Sequence, residues 1–121
     1  MISDYEAILA CVQNYIEGEI NADADVEAKA FAEDATIHGA FGDHVWGGPI
    51  QMLFDVTASE EAKPEMKVRA DILDMHETVA VVRVVLEDPN GPDYVDYHSL
   101  VKGPDGWKIY AKVFHAIMPA E

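Results

Sequence analysis

The sequence predicts an α+β domain, a cone-shaped fold with N-terminal helices packed on a curved, mainly antiparallel sheet. Two observations carry this. Apolar residues recur at helical spacing near the start, at Tyr5, Ile8, Leu9, Val12, Tyr15, Ile16 and Ile20, whereas from Lys67 onward they alternate and many are β-branched. The later segments are joined by short turn-like links, Pro89-Asn90-Gly91-Pro92 and Gly103-Pro104-Asp105-Gly106, so successive strands must run antiparallel. Helices first and strands after put the helices on one face of the sheet. A bent sheet closed by helices leaves a cone-shaped interior.

Each element follows from local chemistry. Ser3 and Glu6 have capping-box spacing ahead of an amphipathic helix from about Asp4 to Glu19, which Gly18 and Asn21-Ala22-Asp23 weaken and end. Asp23 or Asp25 can cap a second, shorter helix through Val26, Ala30 and Phe31. Ala35-Thr36-Ile37-His38-Gly39 reads as a short strand, and the glycines that follow make Phe41 to Trp46 a hairpin or a loop over a pocket. Pro49 suits a first helical position, with Ile50, Leu53, Phe54 and Thr57 on one face of a third helix that stops before Lys63-Pro64. Strands are predicted at Lys67 to Met75 and Val79 to Leu86, followed by a hairpin of two long strands over Tyr94 to Ala116.

The length of 121 residues suits one domain spanning residues 1–121. Acidic residues outnumber basic ones 23 to 8, a formal charge of −15. This argues against nucleic acid or an anionic membrane as partner, since phosphate binding needs clustered Lys and Arg. The same charge favours solubility or, more specifically, attraction of a cationic ligand. The single cysteine, Cys11, excludes an intrachain disulfide and is expected to be buried rather than nucleophilic. No basic region followed by an apolar run opens the sequence and no stretch reaches the roughly 18 apolar residues of a span, so a cytoplasmic location is expected. His38, His44, His76, His98 and His115 lack zinc-site spacing, and no metal is expected. The glycines do not form a phosphate-binding fingerprint.

The chain resembles the nuclear transport factor 2-like superfamily, and within it the branch called putative lumazine-binding. The resemblance runs over nearly the whole chain. It rests on the first helix with Tyr15 and Gly18, on Phe31 through Ala35-Thr36-Ile37-His38-Gly39, and on Tyr94-Val95-Asp96-Tyr97 with Asp105-Gly106-Trp107-Lys108-Ile109 and Lys112-Val113-Phe114-His115. It implies a cone-like domain that often dimerises through the outer face of its sheet. The superfamily holds isomerases, dehydratases, polyketide cyclases, epoxide hydrolases and binding proteins, so the fold alone does not choose a function.

Strand alternation places Tyr94, Asp96, His98 and Leu100 on one face, taken as the concave one. In the last strand it groups Trp107, Ile109, Ala111, Val113 and His115 against Lys108, Tyr110, Lys112 and Phe114, unless a bulge flips part of the assignment. Asp96 beside His98 is the candidate acid–base pair: a poorly solvated carboxylate has a raised pKa and a neighbouring imidazole can orient its proton. Tyr15, Tyr94 or His38 is the candidate donor to a developing oxyanion. Phe41, Trp46 and Phe54 are candidate apolar lining. The competing reading makes Asp96, His98, His38 and Tyr15 internal hydrogen-bonding partners, and Lys112 and His115 structural, with Lys112 able to pair with Asp96.

Three functions remain open from the residues. One is a small-molecule-binding protein with an apolar pocket carrying a few polar groups, its ligand and any cofactor unidentified. The second is an isomerase-, dehydratase- or cyclase-type enzyme with Asp96 as base. The third is a dimeric interaction domain with a filled interior.

Overall fold

The computed structural model describes residues 1–118. Helix α1 (Ile2–Asn21) and the short α2 (Ala24–Ala28) precede β1 (Phe31–Phe41) and β2 (His44–Pro49). Helix α3 (Gln51–Ser59) leads into β3 (Lys67–His76), β4 (Val79–Glu87), β5 (Asp93–Gly103) and β6 (Gly106–Ile117). The six strands form one open sheet in the order β2-β1-β6-β5-β4-β3. Only the β1–β6 pair is parallel. The α+β class and the helices-on-one-face arrangement are those the sequence predicts. No helix among the described residues is long and apolar enough to cross a membrane.

The core forms where the stripe of α1 meets one sheet face. Ile8, Val12, Tyr15 and Ile16 lie against Val82, Val84, Leu86, Leu100, Ile109 and Ile37, all buried. In β4 the alternation is clear: Ala80, Val82, Val84 and Leu86 point in, and Val79 and Val81 point out. Burying each such side chain stabilises the fold by about 1.5–3 kcal/mol before entropy is counted.

Several local expectations are corrected. Helix α1 starts at Ile2 behind Met1 with no side-chain cap bond, so the Ser3–Glu6 capping box does not form. Its C-terminus closes at Ala22 in the left-handed region (φ 52°), whose N–H bonds Gly18 O. Asp23, rather than Asp25, caps α2, accepting from Val26 N at 3.2 Å. That helix ends at Ala28, and Phe31 already belongs to β1, because the chain must turn into an eleven-residue strand. Pro49 ends β2 instead of opening α3, whose N-cap is Ile50. Phe41 to Trp46 resolves into the β1–β2 hairpin, turning at Gly42 with φ 60°.

The most consequential local feature is a bulge in β6. Ser99 pairs with Ala111 and Leu100 with Ile109, leaving Tyr110 as an extra residue. One inserted residue flips the alternation. Trp107 and Ile109 point into the core, but beyond Tyr110 it is Lys112, Phe114 and Ala116 that point in, while Val113 and His115 point out. The uninterrupted parity expected for β6 is therefore wrong past the bulge.

Candidate functional site

A cavity of about 310 Å³ opens between α1, α3 and the inner sheet face. Its walls are largely apolar, from Ile37 and Phe41 of β1, Trp46 of β2, Leu53 and Val56 of α3, Met66, Leu86, Tyr94 and Phe114. The aromatic side is knit together: Phe114 meets Phe41, Tyr94 and Trp46 edge-on, with ring centres 5.5, 5.8 and 6.2 Å apart. Gly39 makes this possible, since a Cβ there would lie 2.2 Å from the Phe114 ring. The polar lining is Tyr15 and Glu19 from α1, four residues apart on one helical face, Lys112 from β6, and Glu60, Lys63 and Asp88 from the connecting segments.

Behind that wall sits a buried ionic cluster centred on Asp96, which is fully inaccessible. The Tyr15 hydroxyl donates to Asp96 Oδ2 at 2.5 Å. Lys112 Nζ lies 3.8 Å from the same oxygen, and 4.9 and 5.1 Å from the ring centres of Tyr15 and Phe114. His98 Nε2 is 3.4 Å from Asp96 Oδ2, adjacent to it but outside hydrogen-bond geometry. Asp96 Oδ1 and both nitrogens of His98 have no hydrogen-bond partner among the described residues.

The ionisation states follow. Burial alone would raise the Asp96 carboxyl, but the charge of Lys112, with the neighbouring His98 and Tyr15, more than offsets it and holds the group below its ordinary value. The raised Asp96 pKa expected from the sequence is thus corrected: the register flip that brings Lys112 inside supplies the opposing charge. Burial lowers His98, leaving a neutral imidazole at neutral pH. Burial, followed by the Asp96 charge, pushes the Tyr15 phenol well up, so it stays protonated and donates. Cys11 is buried, donates to Ala30 O at 3.4 Å, and is pushed up to about 11 by burial.

Of the residues expected at a site, Tyr15, Phe41, Trp46 and Tyr94 line the cavity. Asp96 and His98 face the same side of the sheet but lie behind Tyr15 and Lys112 rather than on the cavity surface. His38 is exposed on the outer face, level with Val113 of β6, because alternation in β1 turns its inward neighbours Ile37 and Gly39 to the core. Phe54 packs edge-on to Phe31, 5.7 Å between ring centres, and does not line the cavity. Lys112, Glu19 and Phe114 are among the lining residues that strand parity and periodicity did not single out, with Ile37, Leu53, Val56, Glu60, Lys63, Met66, Leu86 and Asp88. Glu19 had a usable signal, four residues after Tyr15; Lys112 and Phe114 had none, since nothing local marks the bulge at Tyr110.

The sequence matches the family described as "Putative lumazine-binding" over residues 3–115. "Aldolase FrzH" from Cladobotryum sp. is 30% identical over 115 residues, spanning 94% of this chain and 92% of that protein. An NTF2-like protein of unknown function from Shewanella baltica OS155 is similar in structure, with a TM-score of 0.91 and 33% identity over 99% of this chain and 98% of that one. Another, from Methylobacillus flagellatus KT, has a TM-score of 0.89 and 30% identity over 96% and 94%. With its helices on one face of a six-stranded, mostly antiparallel sheet, the chain belongs to the putative lumazine-binding family of the nuclear transport factor 2-like superfamily.

Proposed function

We propose that this protein binds a small, mainly apolar organic molecule in the cavity, with a carbonyl or similar acceptor group directed at Lys112. The observation that carries the reading is the distribution of chemistry along the wall: aromatic and aliphatic groups over most of the surface, with the buried Tyr15 and Lys112 and the half-buried Glu19 among its polar groups. Apolar walls would bury the ligand and a few polar groups would orient it. Lys112 is the natural donor. Its partner Asp96 holds it in place, and Tyr15 spends its own proton on Asp96, leaving the phenol oxygen as an acceptor.

A second reading is enzymatic, favoured by the aldolase relative. Lys112 would stabilise the enolate oxygen formed when a hydrogen leaves the carbon beside a carbonyl. Tyr15 would take that proton as its own passes to Asp96, and His98 would position Asp96 without touching the substrate. Asp96 would then be the proton sink, not the group in contact with the ligand. We further propose a homodimer through the outer sheet face, where Val81, Tyr97, Val101, Val113 and Ile117 are exposed.

Thermal shift against pteridine- and flavin-like, steroid and polyketide-like compounds tests the binding reading. A ligand of one class should raise the melting temperature, and Lys112→Met should abolish the shift. No shift from any class would remove the reading. The enzymatic reading is tested by exchange of the α-hydrogens of the bound class's ketones in D₂O. The wild type should accelerate exchange, and Asp96→Asn, still folded by circular dichroism, should not. Exchange undiminished in Asp96→Asn would sink that assignment.

A further inference from the structure

The charges around the cavity do not balance. Lys63 at the wall pairs with Glu60 at 2.5 Å, and Lys112 faces Asp96. Glu19 and Asp88 also line the cavity, and neither is in an ion pair among the described residues. Asp88 is occupied in the β4–β5 turn, where its Oδ1 accepts from Asn90 N at 2.9 Å. Glu19 is different: it lies one helical turn from Tyr15 and is in no ion pair or side-chain hydrogen bond among the described residues.

A second carboxyl backs Glu19. Glu27 of α2 is fully buried, held by Thr57 Oγ1 donating to its Oε1 at 2.7 Å, while Oε2 has no donor of its own. Gly18 lets it in, since a Cβ at that position would come within 2.4 Å of Glu27 Cβ. Burial first, then the neighbouring Glu19, pushes Glu27 well above the ordinary carboxylate range. Two neighbouring carboxyls do not both ionise cheaply. The buried one keeps its proton, and Glu19 is the carboxyl of the two that reaches the cavity.

We propose that Glu19, braced by the buried Glu27, is a subsite for a cationic nitrogen, so that the ligand is an amine-bearing carbonyl compound spanning from Lys112 to Glu19. This rests on the cavity being the ligand site. The two ends then discriminate. Lys112 takes the acceptor end and would repel an ammonium, whereas Glu19 takes the ammonium and would repel an anion. The net negative charge of the whole chain draws such a ligand in.

The test is calorimetry with two probes of one shape. They are para-(dimethylaminomethyl)benzaldehyde, protonated at neutral pH, and para-isobutylbenzaldehyde, with carbon in place of the nitrogen. The wild type should bind the cationic probe about tenfold more tightly, the expectation for one partly desolvated charge pair. Glu19→Gln should erase that ratio. Asp88→Asn should retain the ratio, which separates Glu19 from the general field of the protein. Equal affinities in the wild type, or a ratio that survives Glu19→Gln, overturn the cationic subsite while leaving the cavity as a ligand site. If neither probe binds but a compound of the thermal-shift panel does, the amine-bearing class falls alone. If neither binds and the panel is silent too, both readings fall.

Discussion

Asp96 and Glu27 are both buried carboxyls, and they ionise in opposite ways because of what touches them. Asp96 has Lys112, His98 and Tyr15 around one oxygen and stays charged. Glu27 has Thr57 and another carboxyl and stays neutral. Their linkage to stability has opposite sign. The lowered Asp96 contributes stability above its unfolded pKa, lost as pH falls through the folded value. For Glu27, the folded state holds a proton that the unfolded chain releases above about pH 4.5. Its contribution therefore weakens as pH rises through that window, by at most about 1.4 kcal/mol per unit. Glu27→Gln mimics the protonated acid and keeps an acceptor for Thr57. Its melting temperature should exceed the wild type's by a margin that grows from pH 5 to pH 8, measured by calorimetry in matched buffers. A margin flat with pH would mean that Glu27 is ionised in the folded protein.

At the level of elements, the β6 bulge and Gly39 act together. The bulge turns Phe114 inward, and Gly39 on the neighbouring strand leaves room for its ring. That ring cannot step aside, because Phe41, Trp46 and Tyr94 surround it. Gly39→Ala should therefore destabilise by about 1–3 kcal/mol, the cost of overpacking a closed core, read from the urea midpoint. Gly39→Ala combined with Phe114→Leu should recover part of the loss, since the smaller side chain makes room. No loss in the single variant would show that the ring moves freely. The strands themselves were legible in the sequence from alternation and turn residues. The bulge was not, because Ile109-Tyr110-Ala111 has no glycine or turn residue to mark it.

For the molecule as a whole, the outer sheet face sets the question of assembly. His38, Val113, Tyr97 and Arg83 stand level across four strands, with Val81, Val101 and Ile117 also exposed. In a two-fold dimer each would be used twice, so one substitution counts double. Sedimentation should give twice the 13.3 kDa chain mass, and Val113→Glu should return the single-chain mass without unfolding it. The charge of −15 opposes the pairing, so raising salt from low ionic strength should strengthen it by screening. A wild type that sediments as a single chain at every salt and concentration would end the dimer proposal.

The sequence by itself determined the α+β class, the three helices and the four strands that follow them, the antiparallel hairpins among those strands and the inward face of β5 that carries Asp96 and His98. These are local properties: periodicity, turn chemistry and alternation act over a few residues at a time. Only the tertiary structure decided that Lys112 points inward, that His38 lies outside, that Asp96 sits behind Tyr15, and that Glu27 is buried against Thr57. Each depends on register or on contacts between distant segments. A shift of one residue exchanges the faces of a strand, and a buried charge takes its state from neighbours that lie far away in the chain.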